Sequence, residues 1–144
     1  MDIQIVKHVK EKLQVIIQCR QVDEEVLRLK AYIEGFDTRL RAKRDDEWCL
    51  VKVQEVLYFE AVENKTFLYT ENEVMEVKQR LYELELLLSE KDFMRSSKSQ
   101  IININKVKSL QPELNRTILA TMCNGEQLYI SRKYVQTIKK LLCV

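Results

Sequence analysis

Glycine and proline are nearly missing, with 2 Gly and 1 Pro in 144 residues. Two glycines cannot build a phosphate-cradling loop of the GxxxxGK[ST] or GxGxxG kind. The shortage also excludes Gly-rich linkers and low-complexity tracts. His8 is the single imidazole. Any Ser/His/Asp or Cys/His mechanism would have to use it, and it stands in a short apolar stretch outside the better-patterned part of the chain. Carboxylates are plentiful but no pair is marked as convergent, so the expectation is no enzyme and no catalytic residue. No apolar run approaches the roughly 18 residues that mark a membrane span, and residues 1–10 lack a signal-peptide pattern. No membrane insertion and a cytoplasmic location are therefore expected. Cys19, Cys49, Cys123 and Cys143 form no CxxC or CxxxC pair. Without close ligand pairs they read as buried small apolar residues, and no metal, other cofactor or small-molecule ligand is expected.

What is present suffices for a core: 46% of residues are hydrophobic and 32% charged, a balance that excludes general disorder. The net charge of +2 hides an uneven distribution. Residues 1–91 hold 15 Lys/Arg against 19 Asp/Glu, a net of −4, and residues 92–144 hold 9 against 3, a net of +6. A basic last third suits a polyanion, although a merely solvated surface would give the same count.

Ile3–Val9 and Leu13–Cys19 alternate as strands do, with a hairpin around Lys10–Lys12. Asp23 suits a helix N-cap, and Val22, Val26, Leu29 and Ile33 then form one apolar stripe ending near Gly35. This β-β-α piece, residues 1–45, is too small to cover its own apolar surface and must pack on the next domain or on another subunit. Residues 38–46 read as a charged edge strand ending in a turn at Asp45–Asp46. Strands are expected at Trp48–Lys52, Val56–Val62, Thr66–Thr70 and Val74–Val77, then a helix over about Lys78–Leu88. Further strands follow at Ile101–Ile104, Val107–Leu110, Thr117–Cys123 and Gln127–Ile130, with Asn124–Gly125 as a hairpin turn. Ser131 can cap a final helix. The class is α+β and β-rich, with two or three helices.

Three polar segments could carry chemistry. Phe93–Gln100 joins Arg95 and Lys98 to the hydroxyls of Ser96, Ser97 and Ser99, the donor types used on phosphates; the plain alternative is a polar loop. Arg132 and Lys133 follow Ser131 in the first turn of a helix, where the macrodipole disfavours cations by about 0.3–1 kcal/mol each. The same helix end offers free N–H groups to an anion. The Asn64–Lys65 turn offers an amide and a cation, though an ordinary hairpin tip would look the same.

In these segments the chain resembles the LytTR family: VLYFEAVENKTFLYT, then FMRSSKSQIININKVKSL, then NGEQLYISRKYVQTIKKLL, covering about Glu47 to Leu142. The resemblance implies a bacterial transcription regulator with an elongated β-rich fold of short antiparallel strands. Its loops, rather than a recognition helix, would enter successive major grooves of double-stranded DNA. By motif position the DNA-binding residues would be Asn64 and Lys65, then Lys98 with Arg95 and Ser97, then Arg132 and Lys133. Residues 46–144 would be this domain. Residues 1–45 are far too short for a phosphoryl-accepting receiver and would instead be a dimerisation element of a homodimer. The competing expectations are a protein-interaction module on the same fold without DNA binding, and a single-strand or RNA binder. The latter would need exposed aromatic platforms, whereas Tyr58, Phe59, Phe67 and Tyr69 fall on expected core strands.

Overall fold

The computed structural model describes residues 1–8, 13–36, 38–89 and 92–142. Its frame is one seven-stranded antiparallel sheet. Alternating β-formers build its centre, where β3 (Tyr58–Val62) pairs with β4 (Lys65–Tyr69) from Tyr58–Tyr69 to Val62–Lys65. On one side follow β5 (Val74–Val77), β1 (Arg39–Arg44) and, at the edge, β2 (Glu47–Lys52); on the other lie β7 (Gln100–Asn103) and β6 (Phe93–Ser97). A second sheet holds β8 (Val107–Pro112), β9 (Ile118–Met122) and β10 (Gln127–Ile130). Among the described residues three α-helices complete the fold: α1 (Glu24–Glu34), α2 (Leu81–Leu87) and α3 (Arg132–Leu141). The fold is α+β and β-rich, as the sequence indicates.

The pleat sends alternate side chains of the large sheet to two different cores. Leu40, Ala42, Phe59, Leu68, Val77 and Ile101 face Leu81, Leu84 and Leu88 of the α2 segment. From the β3–β7–β6 half, Tyr58, Met94 and Ile102 face the opposite way, onto Ile118, Met122 and Ile130 of the small sheet and Val135 and Ile138 of α3. Among the described residues the β1–β2 half has no such cover on that second side, where Trp48 and Leu50 stay exposed.

The caps are local. Asp23 accepts a hydrogen bond from the Val26 amide at 3.0 Å and Gly35 closes α1, as expected from the sequence. At the β9–β10 turn Gly125 takes φ +90°, and its N–H donates to Met122 O at 2.9 Å. The loop is thus three residues long, and the hairpin stands where Asn124–Gly125 led it to be expected.

Other expectations change. The described residues of Ile3–Val9 and Leu13–Cys19 form no strand; Val9, Lys10 and Lys12 lie outside the described residues. The alternation is real, but a two-stranded hairpin alone is marginal, and Ile5 and Leu13 are almost fully exposed. The stripe on α1 is only half-buried. Helix α2 starts at Leu81 rather than Lys78, because the Arg80 N–H donates to Glu83 at 3.2 Å and fixes the N-terminus there. Phe93–Ser97 is a strand rather than a loop. Cys19, ahead of α1, and Cys123, in the β9–β10 turn, are exposed, and Cys49 on the edge strand β2 is half-buried against the first core; Cys143 lies outside the described residues.

Candidate nucleic-acid interface

The first segment is the tip of the β3–β4 hairpin. Val62–Lys65 is its last pair, and Glu63, not Asn64, takes the left-handed conformation at φ +57°. That leaves Asn64 and Lys65 exposed at the turn.

The second segment is the β6–β7 hairpin, whose register shifts between Arg95 and Ser97. Its tip is held from within. The Ser99 amide donates to Ser97 Oγ at 3.2 Å. Arg95 donates through Nη1 to the Lys98 carbonyl at 2.7 Å and through Nε to Glu85 of α2 at 3.0 Å. Arg95 and Ser97 are therefore occupied in shaping the turn, while Lys98 stands exposed on top of it.

The third segment is the start of α3. Ser131 occupies the N-cap position, but its hydroxyl makes no capping hydrogen bond, contrary to the expected role. Its backbone N–H instead donates to the Ser96 carbonyl at 2.8 Å. Of the first-turn amides, Tyr134 N–H donates to Ser131 O at 2.9 Å, and those of Arg132 and Lys133 can face an anion. Arg132 and Lys133 are exposed there, with Lys133 Nζ 5.5 Å from the Tyr134 ring centroid.

Two main-chain hydrogen bonds bring the segments together. Ala61 N–H donates to Ser99 O at 2.9 Å, setting the first tip beside the second, and the Ser131–Ser96 bond sets the third beside the second. Below them lies Glu60, within the VLYFEAV stretch that carries part of the family resemblance. It accepts from Gln100 Nε2 at 2.6 Å and from the Tyr69 hydroxyl at 3.3 Å, so it braces both hairpins. A lone acid inside the apolar strand VLYFEAV was the available clue. Tyr58 and Tyr69 stack with centroids 4.2 Å apart, and burial is the main cause that pushes both phenols above their ordinary range, with Glu126 and Glu60 adding to it. Rings packed this way are not free to stack on bases.

Among the described residues, Lys65, Lys98, Arg132 and Lys133 form no ion pair. No group of three His, Cys, Asp or Glu side chains could hold a metal ion among those residues. An array of unpaired cations and open helix amides, fixed by the main chain, is a surface for a polyanion: the class is a β-rich nucleic-acid-binding module.

Comparison with known proteins makes the class specific. The LytTr DNA-binding domain model matches residues 46–143. A solved LytTr DNA-binding domain from Bacillus cereus superposes with a TM-score of 0.70 at 33% identity, over 75% of this chain and 99% of that one. Among curated relatives, an HTH-type transcriptional regulator of Staphylococcus aureus is 33% identical over 100 residues, 69% of this chain and 67% of its own. Sensory transduction protein LytT of Bacillus anthracis is 28% identical over 135 residues, 90% of this chain, and the chain spans only 55% of that relative. The chain belongs to the LytTr DNA-binding domain family.

Proposed function

We propose that the protein is a transcription regulator of the bacterial cytoplasm that reads double-stranded DNA by inserting its three tied segments into successive major grooves. The observation that carries this reading is the pair of main-chain bonds, Ala61–Ser99 and Ser131–Ser96, which hold the tips in one array. Asn64 and Lys98 are the candidates for base edges, and Lys65, Arg132 and Lys133 for phosphates. Arg95 and Ser97 act through the turn they shape. Among the described residues no two helices are consecutive in the element order, which fits reading by loops rather than by a helix-turn-helix.

Selection of bound duplexes from a random pool, followed by titration at two salt concentrations, tests the proposal. A recurrent sequence and a steep loss of affinity with salt are expected. Lys133→Ala should flatten the salt slope by about one unit. If no duplex is enriched and binding is insensitive to salt, the protein-interaction reading takes its place.

The working form is a homodimer joined through the part of the 1–45 segment that precedes β1, since β1 itself is an inner strand of the large sheet. Support comes from its exposed apolar residues, among them Ile3 at 78%, Ile5 at 96%, Leu13 at 98% and Ile16 at 71%. A single copy leaves them in water. Sedimentation of the full chain should give a dimer, and Ile5→Asp with Ile16→Asp should give a monomer; a monomeric parent protein would sink the idea.

A further inference from the structure

The outer side of the β1–β2 hairpin carries a concentration of charge that residue counting hides. Arg39, Arg41 and Lys43 alternate outward from β1 against buried Leu40 and Ala42, and Lys52 stands opposite Arg39. Among the described residues, none of these four forms an ion pair. Lys78 and Lys43 lie 5.0 and 6.0 Å from the Trp48 ring centroid. Trp48 is 52% exposed and Leu50 65% exposed, and with Arg41 and Lys78 they line a cleft of about 480 Å³.

The register joins this face to the first DNA-facing tip. Extending the register one step beyond the Thr66–Val77 pair, the last of β4–β5, puts Lys65 opposite Lys78 just past the end of β5. Continuing from the Lys43–Glu76 pair, Arg41 comes opposite Lys78 from the other side, and Arg41 itself pairs with Leu50. Thr66, Val77 and Ala42 are buried toward α2. Lys65, Lys78 and Arg41 therefore share the opposite face, the one on which α3 packs. The row from Lys65 to Arg41 crosses two strand spacings, about 10 Å.

We propose that Arg41 and Lys78, with Trp48 between their neighbours, form an extension of the DNA interface that holds the backbone of duplex flanking the site read by the three tips. The inference rests on the DNA-binding reading above. Charge complementarity selects a polyanion, and continuity with Lys65 selects the same polyanion that the tips engage. The exposed indole and Leu50 would lie along the sugar edge. The result is added affinity without added base selectivity, since phosphate contacts position a protein and carry no sequence information directly.

Trp48 is the only tryptophan in the chain, so its emission reports on this strip alone. The test uses the full chain and duplexes selected from a random pool, in a long form and a form trimmed to the base pairs read by the tips. The long form should change Trp48 emission and the trimmed form should not. The double variant Arg41→Ala, Lys78→Ala should lower the salt slope by about two units on the long duplex and leave the trimmed one unchanged. The double variant Lys139→Ala, Lys140→Ala, at the far end of α3, serves as a charge-matched control and should not distinguish the two duplexes. Identical Trp48 response to both duplexes, or an unchanged slope in the double variant, overturns the extension while leaving the three-tip reading intact. Emission that changes with protein concentration alone would assign the face to a second copy and equally overturn it. A parent protein that binds no duplex would remove the underlying reading itself.

Discussion

Arg95 shows how a residue's type can be legible in the sequence while its contacts are not. Its charge and motif position suggest a phosphate contact, yet its guanidinium is spent on Glu85 and the Lys98 carbonyl. Sequence cannot reveal this, because the acid that claims it lies on a separate helix. Arg95→Ala should weaken DNA binding on the order of tenfold, about 1.4 kcal/mol, the scale of one lost hydrogen bond. Its salt slope should stay at the parent value; a drop of about one unit would instead make Arg95 a phosphate contact. Arg95→Lys should not rescue binding, because an ammonium cannot serve both partners in the fork geometry. Ser96 gives a contrasting case. Its carbonyl ties α3, but its hydroxyl is buried without a partner. Ser96→Ala keeps the tie and removes an unpaired buried donor, so thermal melting should show equal or higher stability, by about 1 kcal/mol at most.

At the level of elements, strand legibility followed burial. β2 to β5 and β7 to β10 are bounded by turn residues and carry β-formers, and their alternation is plain in the sequence. β6 is not, because FMRSS faces packed structure on both sides and uses a fully buried serine where an apolar residue would announce a strand. The N-terminal alternation erred the other way: its pattern is strand-like, but nothing in the described chain pairs with it. The turn from β7 into the small sheet depends on Asn103, which is 2% exposed. Its amide donates to Val56 O at 2.8 Å and its oxygen accepts from the Asn105 N–H at 3.0 Å. Asn103→Ala strands both groups and should cost about 1–3 kcal/mol in chemical denaturation. A cost near zero would mean that the turn is held elsewhere.

Across the whole molecule, linear charge counting captured the basic last third and missed the basic outer face of β1–β2. Residues 1–91 sum to a net acid, yet the pleat gathers Arg39, Arg41 and Lys43 on one face of β1. The candidate site was legible as three segments and illegible as one surface, because its ties are backbone bonds between Ala61 and Ser99 and between Ser131 and Ser96. The two core tyrosines set an alkaline limit on stability. Their folded pKa values are raised, chiefly by burial, so the stabilisation is complete below the unfolded value of about 10 and is lost as pH rises through the folded values. Melting temperature should begin to fall above about pH 10 for this reason, and Tyr58→Phe should make that fall shallower. The two ties also bear on how such a protein can diverge. Both use only N–H and C=O groups, which every residue except proline supplies. Substitutions at Asn64, Lys65, Lys98, Arg132 or Lys133 therefore leave the ties chemically untouched. A lineage can exchange the side chains at its tips, and with them the operator it prefers, while the distances between the tips are inherited unchanged.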